Sequence, residues 1–451
     1  MSSKLPQLKR RAFLKQVSGL STAGVALATG TLSSKVLAKN CSFSAFDPEF
    51  VYLNSGTEGS MPSCVLDSLS KNQALWAKQP THSYETDINL GKHQHVNREK
   101  VAQFLNVKKN NICLTDNTTM GCSMVLMGLN FGPNDKAIMT NQEHNAIASP
   151  LSVQHSKVGL KVIKRNFPHA EKLSGMSSKE VLDYLFPNTD ELRGAKALCV
   201  SHVYPSTGIQ LPLNLLREKA DELGIQYLVV DGAQAFGMLD LSQGSNAISH
   251  TDFYACPGHK WLNGPPSTGI LYIRNENIQP PELYPVLSQR MYQYESGDSQ
   301  FPMAEALQVR GCSNAPGFAA MLTAIEFEEQ LGGSQAVEQH ILGLSKRVKS
   351  FVTKHSKNAL VSPYPAKELH SGLSVFFPFS LNKEGEIFTD KESAETVVNA
   401  LLKKDIRIRY IGFDNGEGEK VYALRVSTAI FNTKEHLDLF ETELKKVLSK
   451  I

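Results

Sequence analysis

Seven short apolar runs alternate with helical or polar stretches through the middle of the chain. This alternation is typical of an α/β fold, in which helices cover a mostly parallel sheet. In such sheets ligands bind beyond the carboxyl ends of the strands, so residues that follow these runs are candidates for a site. The predicted strands are residues 111–115, 136–140, 160–164, 197–201, 226–230, 252–255 and 269–273.

A carboxylate and a lysine follow two of these runs. Asp231 comes directly after the run 226–230, and Lys260 comes a few residues after the run 252–255. A lysine amine forms a Schiff base with an aldehyde, and a carboxylate keeps a pyridine nitrogen protonated. Pyridoxal 5′-phosphate (PLP) chemistry needs both groups. The pair therefore predicts a PLP-dependent enzyme in which burial and nearby positive charge lower the pKa of the Lys260 amine.

The segments around these two residues resemble the class V aminotransferase family, in particular its isopenicillin N epimerase-like branch. The resemblance rests on residues 230–234, 259–262 and 269–274, and it extends from about Val51 to the C-terminus. It implies PLP fold type I, with a mostly parallel sheet in a large domain and a smaller α+β C-terminal domain. It also implies a homodimer whose pocket lies at the subunit boundary.

A helix N-terminus is predicted directly after the run 111–115. Asn117, Thr118 and Thr119 precede an amphipathic stretch, and the free N–H groups at the start of such a helix bind phosphate. The resemblance places both threonines in the family's phosphate cradle. It assigns His259, the residue before the lysine, to the phosphate as well.

The resemblance implies further roles around the cofactor ring. His144 is expected to stack on the ring and to assist proton transfer, beside Lys260 as the catalytic base. Gln234 is expected to hydrogen-bond the phenolic oxygen of the cofactor. Asp231 is expected to pair with the ring nitrogen. With the phosphate ligands, these residues complete the predicted cofactor-binding set.

An amino-acid or peptide substrate brings a carboxylate, and arginine binds that group as a planar fork. Arg425 matches the family's carboxylate-binding arginine. Asn54 matches an N-terminal segment that folds over the site in the family, so both residues are predicted to bind substrate. For Arg407 and Arg409 the sequence leaves two interpretations, a role in the site and an exposed position on a strand.

The reaction stays open at the level of the sequence. Cysteine desulfurases need a nucleophilic cysteine before the carboxylate-binding arginine, and the stretch from Arg407 to Arg425 contains none. Transamination needs one base, whereas epimerisation needs protonation from the opposite face too. We expect aminotransferase-like chemistry, with a Cα epimerase or lyase and a catalytically silent PLP-fold scaffold as the alternatives. Gly311-Cys312 replaces a Gly-Thr pair that in relatives reaches the phosphate of the neighbouring subunit, so that contact also stays open.

The first 38 residues are predicted to be an export signal. Arg10 and Arg11 lie in a match to the twin-arginine consensus, which a mildly apolar stretch and a small-residue cleavage site after Ala38 follow. This pattern predicts passage through the twin-arginine translocase and a periplasmic location. An export signal before an epimerase-like body also resembles the periplasmic PLP enzymes of pyoverdine maturation.

The pattern changes after about residue 315, where helical stretches at 315–331 and 335–354 precede strand-like runs at 371–377, 406–410 and 421–426. A last helix is predicted to begin with Asn432 as N-cap and Glu435 three residues later. The chain is thus expected to divide into a signal peptide at 1–38, an N-terminal arm at 39–60, a large PLP-binding domain at 61–315 and a small domain at 316–451.

Composition limits the other classes of partner. The net charge is +3 and the basic residues are scattered, so the sequence shows no basic patch of the kind that binds nucleic acid. No apolar run is long enough for stable membrane insertion. The seven cysteines include no Cys-x-x-Cys pair, which argues against a structural zinc site and leaves any disulfide pairing unassigned.

Replacing Arg10 and Arg11 by lysine tests the export signal. We expect the double variant to stay in the cytoplasm, because the translocase recognises the arginine pair and not positive charge alone. Cell fractionation followed by immunoblotting measures the exported share. A Lys4→Arg exchange serves as the control. An undiminished periplasmic signal in the double variant would refute the prediction.

Overall fold

The computed structural model describes residues 41–43, 50–78, 93–168, 173, 175–291, 301–311, 313–364, 367–383 and 385–451. The predicted signal peptide and Cys312 lie outside these residues.

The strands and helices of the described residues are as follows. The strands are β1 (Val51–Tyr52), β2 (Ile112–Thr115), β3 (Lys136–Thr140), β4 (Lys161–Arg165), β5 (Ala197–Ser201), β6 (Tyr227–Asp231), β7 (Phe253–Pro257), β8 (Gly269–Ile273), β9 (Leu373–Phe376), β10 (Ile406–Arg407), β11 (Arg409–Asp414) and β12 (Lys420–Ser427). The α-helices are α1 (Ser63–Lys78), α2 (His93–Phe104), α3 (Thr118–Gly128), α4 (Asn145–Val158), α5 (Ser178–Leu185), α6 (Leu213–Glu222), α7 (Met303–Gln308), α8 (Ala315–Gln330), α9 (Gly333–His355), α10 (Lys391–Leu402) and α11 (Lys434–Leu448).

The central sheet has the order β2-β8-β7-β6-β5-β3-β4. The neighbours from β7 to β4 run parallel, whereas β8 is antiparallel to both β7 and β2. The prediction of an α/β fold with a mostly parallel sheet is confirmed. Every predicted strand of this sheet lies within two residues of an observed one. The strands β5 to β8 are buried along their whole length, as a sheet covered on both faces requires, whereas the edge strand β4 carries exposed lysines.

Alternate residues of the central strands enter two different hydrophobic clusters. In β6, Leu228 and Val230 pack in one cluster, whereas Tyr227 and Val229 pack in the other. All five residues of this strand are buried. Since side chains of a strand alternate between the two faces of a sheet, both faces are covered here. The carboxyl end of β6 therefore opens into a buried environment, where Asp231 lies.

A second, smaller sheet has the order β11-β12-β9 and is antiparallel. The predicted strand 406–410 is divided in the structure, because Ile406 and Arg407 pair in parallel with β1 while Arg409 begins the pairing with β12. In this register Arg409 lies directly opposite Arg425. Residues 50–59, the N-terminal segment, thus lie beside the small sheet, where Asn54 also pairs with Ser427. The predicted boundaries between domains stay a prediction.

The expected N-cap of the last helix was wrong. Thr433 caps α11, since its hydroxyl accepts from the His436 N–H at 3.3 Å. The Asn432 side chain is used elsewhere, because its Oδ1 accepts from Ala429 N at 2.7 Å and its Nδ2 donates to Tyr52 O at 2.9 Å. Because the Asn432 side chain bonds to the backbone of β1, it does not cap α11.

A disulfide joins Cys41 to Cys64, with the two Cα atoms 5.0 Å apart. Cys64 lies in α1, and two hydrogen bonds reinforce the connection: Ser63 N donates to Ser42 O at 2.7 Å, and Ser42 N donates to Ser63 Oγ at 3.0 Å. The bridge attaches residues 41–43 to the start of α1. It settles a pairing that the sequence had left unassigned.

No helix in the described residues is both long and apolar enough to cross a membrane.

Removing this disulfide is expected to lower stability. The bridge closes a loop between residues separated by 23 positions, and chain entropy for a loop of this size corresponds to about 3 kcal/mol. We expect a Cys41→Ser, Cys64→Ser double variant to unfold at a lower temperature than the wild type, measured by calorimetry. Reductant should lower the wild-type midpoint and leave that of the double variant unchanged. Equal sensitivity of both proteins to reductant would contradict this assignment.

Candidate active site

A cavity of about 250 Å³ lies at the carboxyl ends of β5 and β6. The large sheet contributes Ser201 and Asp231 from these strand ends, and Lys260 from the loop after β7. This is where parallel sheets place their ligands. The N-terminal segment and the small sheet complete the wall. The lining residues are Gly56, Thr57, His144, Ser201, Val203, Pro205, Asp231, Ala233, Gln234, Lys260, Arg409, Ile411 and Arg425.

Asp231 and Lys260 share this cavity and shift each other's pKa. Asp231 is 3% exposed, and burial raises the pKa of its carboxyl. Two interactions oppose the rise: the Ala233 N–H donates to Oδ1 at 2.8 Å, and the positive charge of Lys260 attracts the carboxylate. Burial lowers the pKa of the Lys260 amine to about 8, against the attraction of Asp231. A lysine with this pKa has an appreciable unprotonated fraction near neutral pH. It can therefore act as a nucleophile and as a base.

Gln234 joins the loop after β7, which carries Lys260 and is called the lysine loop below, to the N-terminal segment. Its Nε2 donates to Gly56 O at 2.8 Å, and its Oε1 accepts from the indole N–H of the buried Trp261 at 3.0 Å. An amide nitrogen carries two N–H groups, so one remains available in the cavity that Gln234 lines. That N–H suits the expected bond to a phenolic oxygen of the cofactor.

His144 is exposed at the edge of the cavity and caps α4. Its Nδ1 accepts from Ala146 N at 3.1 Å, so the neutral ring carries its proton on Nε2. This hydrogen bond fixes the orientation of the imidazole at the point where the chain enters the helix. The ring is thus held in place beside the cavity that a cofactor ring would enter.

Three of the predicted phosphate ligands lie at the start of α3, and the fourth, His259, lines a second cavity together with Asn117. Asn117 caps this helix by accepting from Met120 N at 2.9 Å, and Thr118 and Thr119 form its first turn, where N–H groups lack intrahelical partners. In the part of the chain that the structure describes, the buried atoms Thr118 Oγ1 and His259 Nδ1 have no hydrogen-bond partner. Buried polar atoms of this kind require a partner. A phosphate group would supply oxygens for them, so the residues present fit the cofactor.

Arg425 binds Thr57 from the N-terminal segment. Its Nη2 donates to Thr57 Oγ1 at 2.6 Å, and this hydroxyl in turn donates to Asn54 Oδ1 at 2.9 Å. Burial lowers the pKa of Arg425 to about 9, so the guanidinium keeps its charge at neutral pH. Its buried Nε has no hydrogen-bond partner among the described residues, so it is available to a carboxylate. Asn54 does not line the cavity, whereas Thr57, which sequence analysis missed, does.

The N-terminal segment contacts the lysine loop through its backbone. Gly59 N donates to His259 O at 2.8 Å. A Cβ at position 59 would lie 1.8 Å from the carbonyl oxygen of Lys260, so a side chain is excluded there. Glycine at this position allows the segment to approach the lysine closely.

Glu143 is a further residue that the sequence analysis missed. Three hydroxyl groups donate to its carboxylate: Thr140 at 2.8 Å, Ser201 at 2.7 Å and Tyr204 at 2.8 Å. Burial raises the pKa of this carboxyl to about 7, although the three hydrogen bonds oppose the rise. Glu143 directly precedes His144 and reaches the cavity wall through Ser201. Its position after β3 was the signal available in the sequence, but the three donors come together only in the fold.

Comparison with known proteins gives the family. The model of the family "Aminotransferase class-V" matches residues 51–440. The chain belongs to this family. Isopenicillin N epimerase of Streptomyces clavuligerus is 24% identical over 341 residues, which cover 73% of this chain and 81% of that protein. The same enzyme of Amycolatopsis lactamdurans is 24% identical over 417 residues, 89% of this chain and 96% of that protein.

The solved structures agree on the fold. The apo structure of a cysteine desulfurase from Thermococcus onnurineus NA1 superposes with a TM-score of 0.71 at 21% identity, covering 89% of this chain and 96% of that chain. The class V resemblance, PLP fold type I and PLP as the cofactor are therefore confirmed. In this class V enzyme, the site residues described above would hold the cofactor.

Replacing Glu143 by glutamine tests its protonation. The folded-state pKa of about 7 exceeds the ordinary value of 4.5, so Glu143 contributes stability below about pH 4.5 that is lost as pH rises through 7. The unfolding midpoint of Glu143→Gln minus that of the wild type should therefore increase between about pH 5 and about pH 8. Glu180→Gln, at a carboxyl whose pKa Ser177 lowers, should show no such increase. A difference that stays constant with pH would contradict the assignment.

Proposed function

We propose that the protein is a periplasmic PLP-dependent enzyme that transfers the amino group of an amino acid or peptide. One observation carries the proposal: a single cavity joins a lysine of lowered pKa, a buried carboxylate and a buried arginine, one N–H of which has no partner among the described residues. Bound PLP supplies an electron sink for the electrons released at the substrate Cα. The residues of the chain supply binding, orientation and proton transfer.

Each residue has a distinct task in this proposal. Arg425 binds the substrate carboxylate through its free N–H groups, which orients the Cα hydrogen. Lys260 moves the proton at Cα, because its amine is partly unprotonated near neutral pH. With the cofactor bound, Asp231 would keep the ring nitrogen protonated, His144 would cover the ring, and Thr118 and His259 would hold the phosphate.

Amino-group transfer is favoured because one base is sufficient for it. Among the described residues that line the cavity, Lys260 is the base of lowered pKa. Epimerisation at Cα is the second candidate, and the relatives named isopenicillin N epimerase favour it. It requires a proton donor on the opposite face, for which His144 is the available group in the wall. Desulfuration is not proposed, because none of the described lining residues is a cysteine.

The disulfide supports the proposed periplasmic location. Disulfides persist in oxidising compartments such as the periplasm and are rare in the cytosol, and the Cys41–Cys64 bridge lies just after the predicted cleavage site. We also propose export by the twin-arginine translocase. A homodimer is proposed on the family resemblance.

Turnover in deuterated water tests the reaction. The cofactor-bound protein is incubated with a panel of amino acids and small peptides plus a keto-acid acceptor, and the products are identified by mass spectrometry. We expect an oxo product from the amine and an amino acid from the acceptor. Lys260→Ala should lose at least about 100-fold in rate, together with the visible absorption of the lysine-bound cofactor. Lys164→Ala, at an exposed lysine of β4, is the matched control.

Other outcomes separate the alternatives. Deuterium at an inverted Cα without an oxo product would replace amino-group transfer by epimerisation. Cofactor binding without a change in any substrate would support a silent scaffold.

A further inference from the structure

The small sheet presents two arginines to the cavity. Arg409 and Arg425 both line it, and they face each other directly on β11 and β12. Like charges at opposite positions of neighbouring strands repel each other. Both guanidinium groups nevertheless donate to Thr57 Oγ1, Arg425 at 2.6 Å and Arg409 at 3.3 Å. The fold therefore holds two cations together at one wall of the cavity.

The wall contains too little negative charge to balance both arginines. Among the described lining residues, Lys260, Arg409 and Arg425 are cationic, and Asp231 is the sole carboxylate. The negative charge of Asp231 stabilises the protonated amine of Lys260. In the described part of the chain no salt bridge joins either arginine to a carboxylate, and Thr57 contributes a neutral hydroxyl. The two positive charges are thus left for a ligand.

The two arginines lie at different depths. Arg425 is 3% exposed, whereas Arg409 is exposed at the outer part of the wall. The Thr57 hydroxyl lies between them, and it is saturated, because it accepts from both arginines and donates to Asn54. One carboxylate suits the buried Nε of Arg425. The exposed guanidinium of Arg409 then remains for a second anionic group.

We propose that Arg409 binds a second carboxylate, so that the substrate is a dicarboxylic amino acid or an amine carrying two carboxylates. The inference rests on the proposed function, which places the first carboxylate on Arg425. Arg409 then determines specificity, since a substrate with one carboxylate leaves this guanidinium without an anion.

Anion binding without turnover tests the inference. Succinate and glutarate are compared with propionate and butyrate by calorimetric titration of the cofactor-bound protein. We expect the dicarboxylates to bind at least about tenfold more tightly, because a hydrogen bond between charged groups contributes that much or more. Arg409→Gln should reduce this advantage to about twofold or less and leave monocarboxylate binding nearly unchanged. Arg409→Lys should retain part of the advantage.

Arg407→Gln is the matched control. This substitution removes the same charge, and Arg407 is also exposed, but it does not line the cavity. It should leave both classes of anion unaffected. Equal weakening of both classes in Arg409→Gln would overturn the inference, since the two arginines would then share one carboxylate. A wild type without a dicarboxylate preference would overturn it as well. The titration needs no chemical step, so a dicarboxylate preference can be found even if no amine is turned over. Amine turnover can likewise be found in a protein without that preference, so the two proposals fail separately.

Discussion

The attraction between a buried carboxylate and a lysine amine underlies the whole site. Asp231 is buried and Lys260 is partly buried, and each is stabilised in its charged form by the other. The sheet makes this arrangement possible, because β6 and β7 are parallel neighbours and deliver the two residues to the same edge. Without the counter-charge, burial would favour a neutral form of each group. The pair thus places two charged groups in a cavity at the ends of strands that are otherwise covered by apolar side chains.

Features that depend on local sequence were predictable. The strands β6 and β7 are apolar runs, with Asp231 at the end of one and Lys260 shortly after the other, so fold and cofactor could be predicted from the sequence. The start of α3 was predictable for the same reason, since Asn117 caps it with its own side chain. The N-cap of α11 was not, because Asn432 bonds instead to the backbone of Tyr52, far away in the sequence.

Residues that act through contacts between distant segments escaped prediction, as Thr57 and Glu143 did, or were left with two interpretations, as Arg409 was. Thr57 reaches the site because β1 pairs with β10, which brings the N-terminal segment against β12. Arg409 faces the cavity because its register sets it opposite Arg425. Glu143 gains its three donors from two strands and a loop. In each case the sequence contains the residue type, but the partner is fixed by pairing of strands or packing of loops, which no local pattern reports.

The backbone contact at Gly59 separates the position of the N-terminal segment from the identity of its side chains. The segment is attached by main-chain hydrogen bonding to His259, and close approach there depends on the absence of a side chain. Thr57, two residues earlier, makes its contacts through its side chain, with both arginines of the cavity wall and with Asn54. A change of side chain at position 57 therefore alters the contacts of the two wall arginines, whereas the backbone contact that brings Gly59 against the lysine does not depend on that side chain.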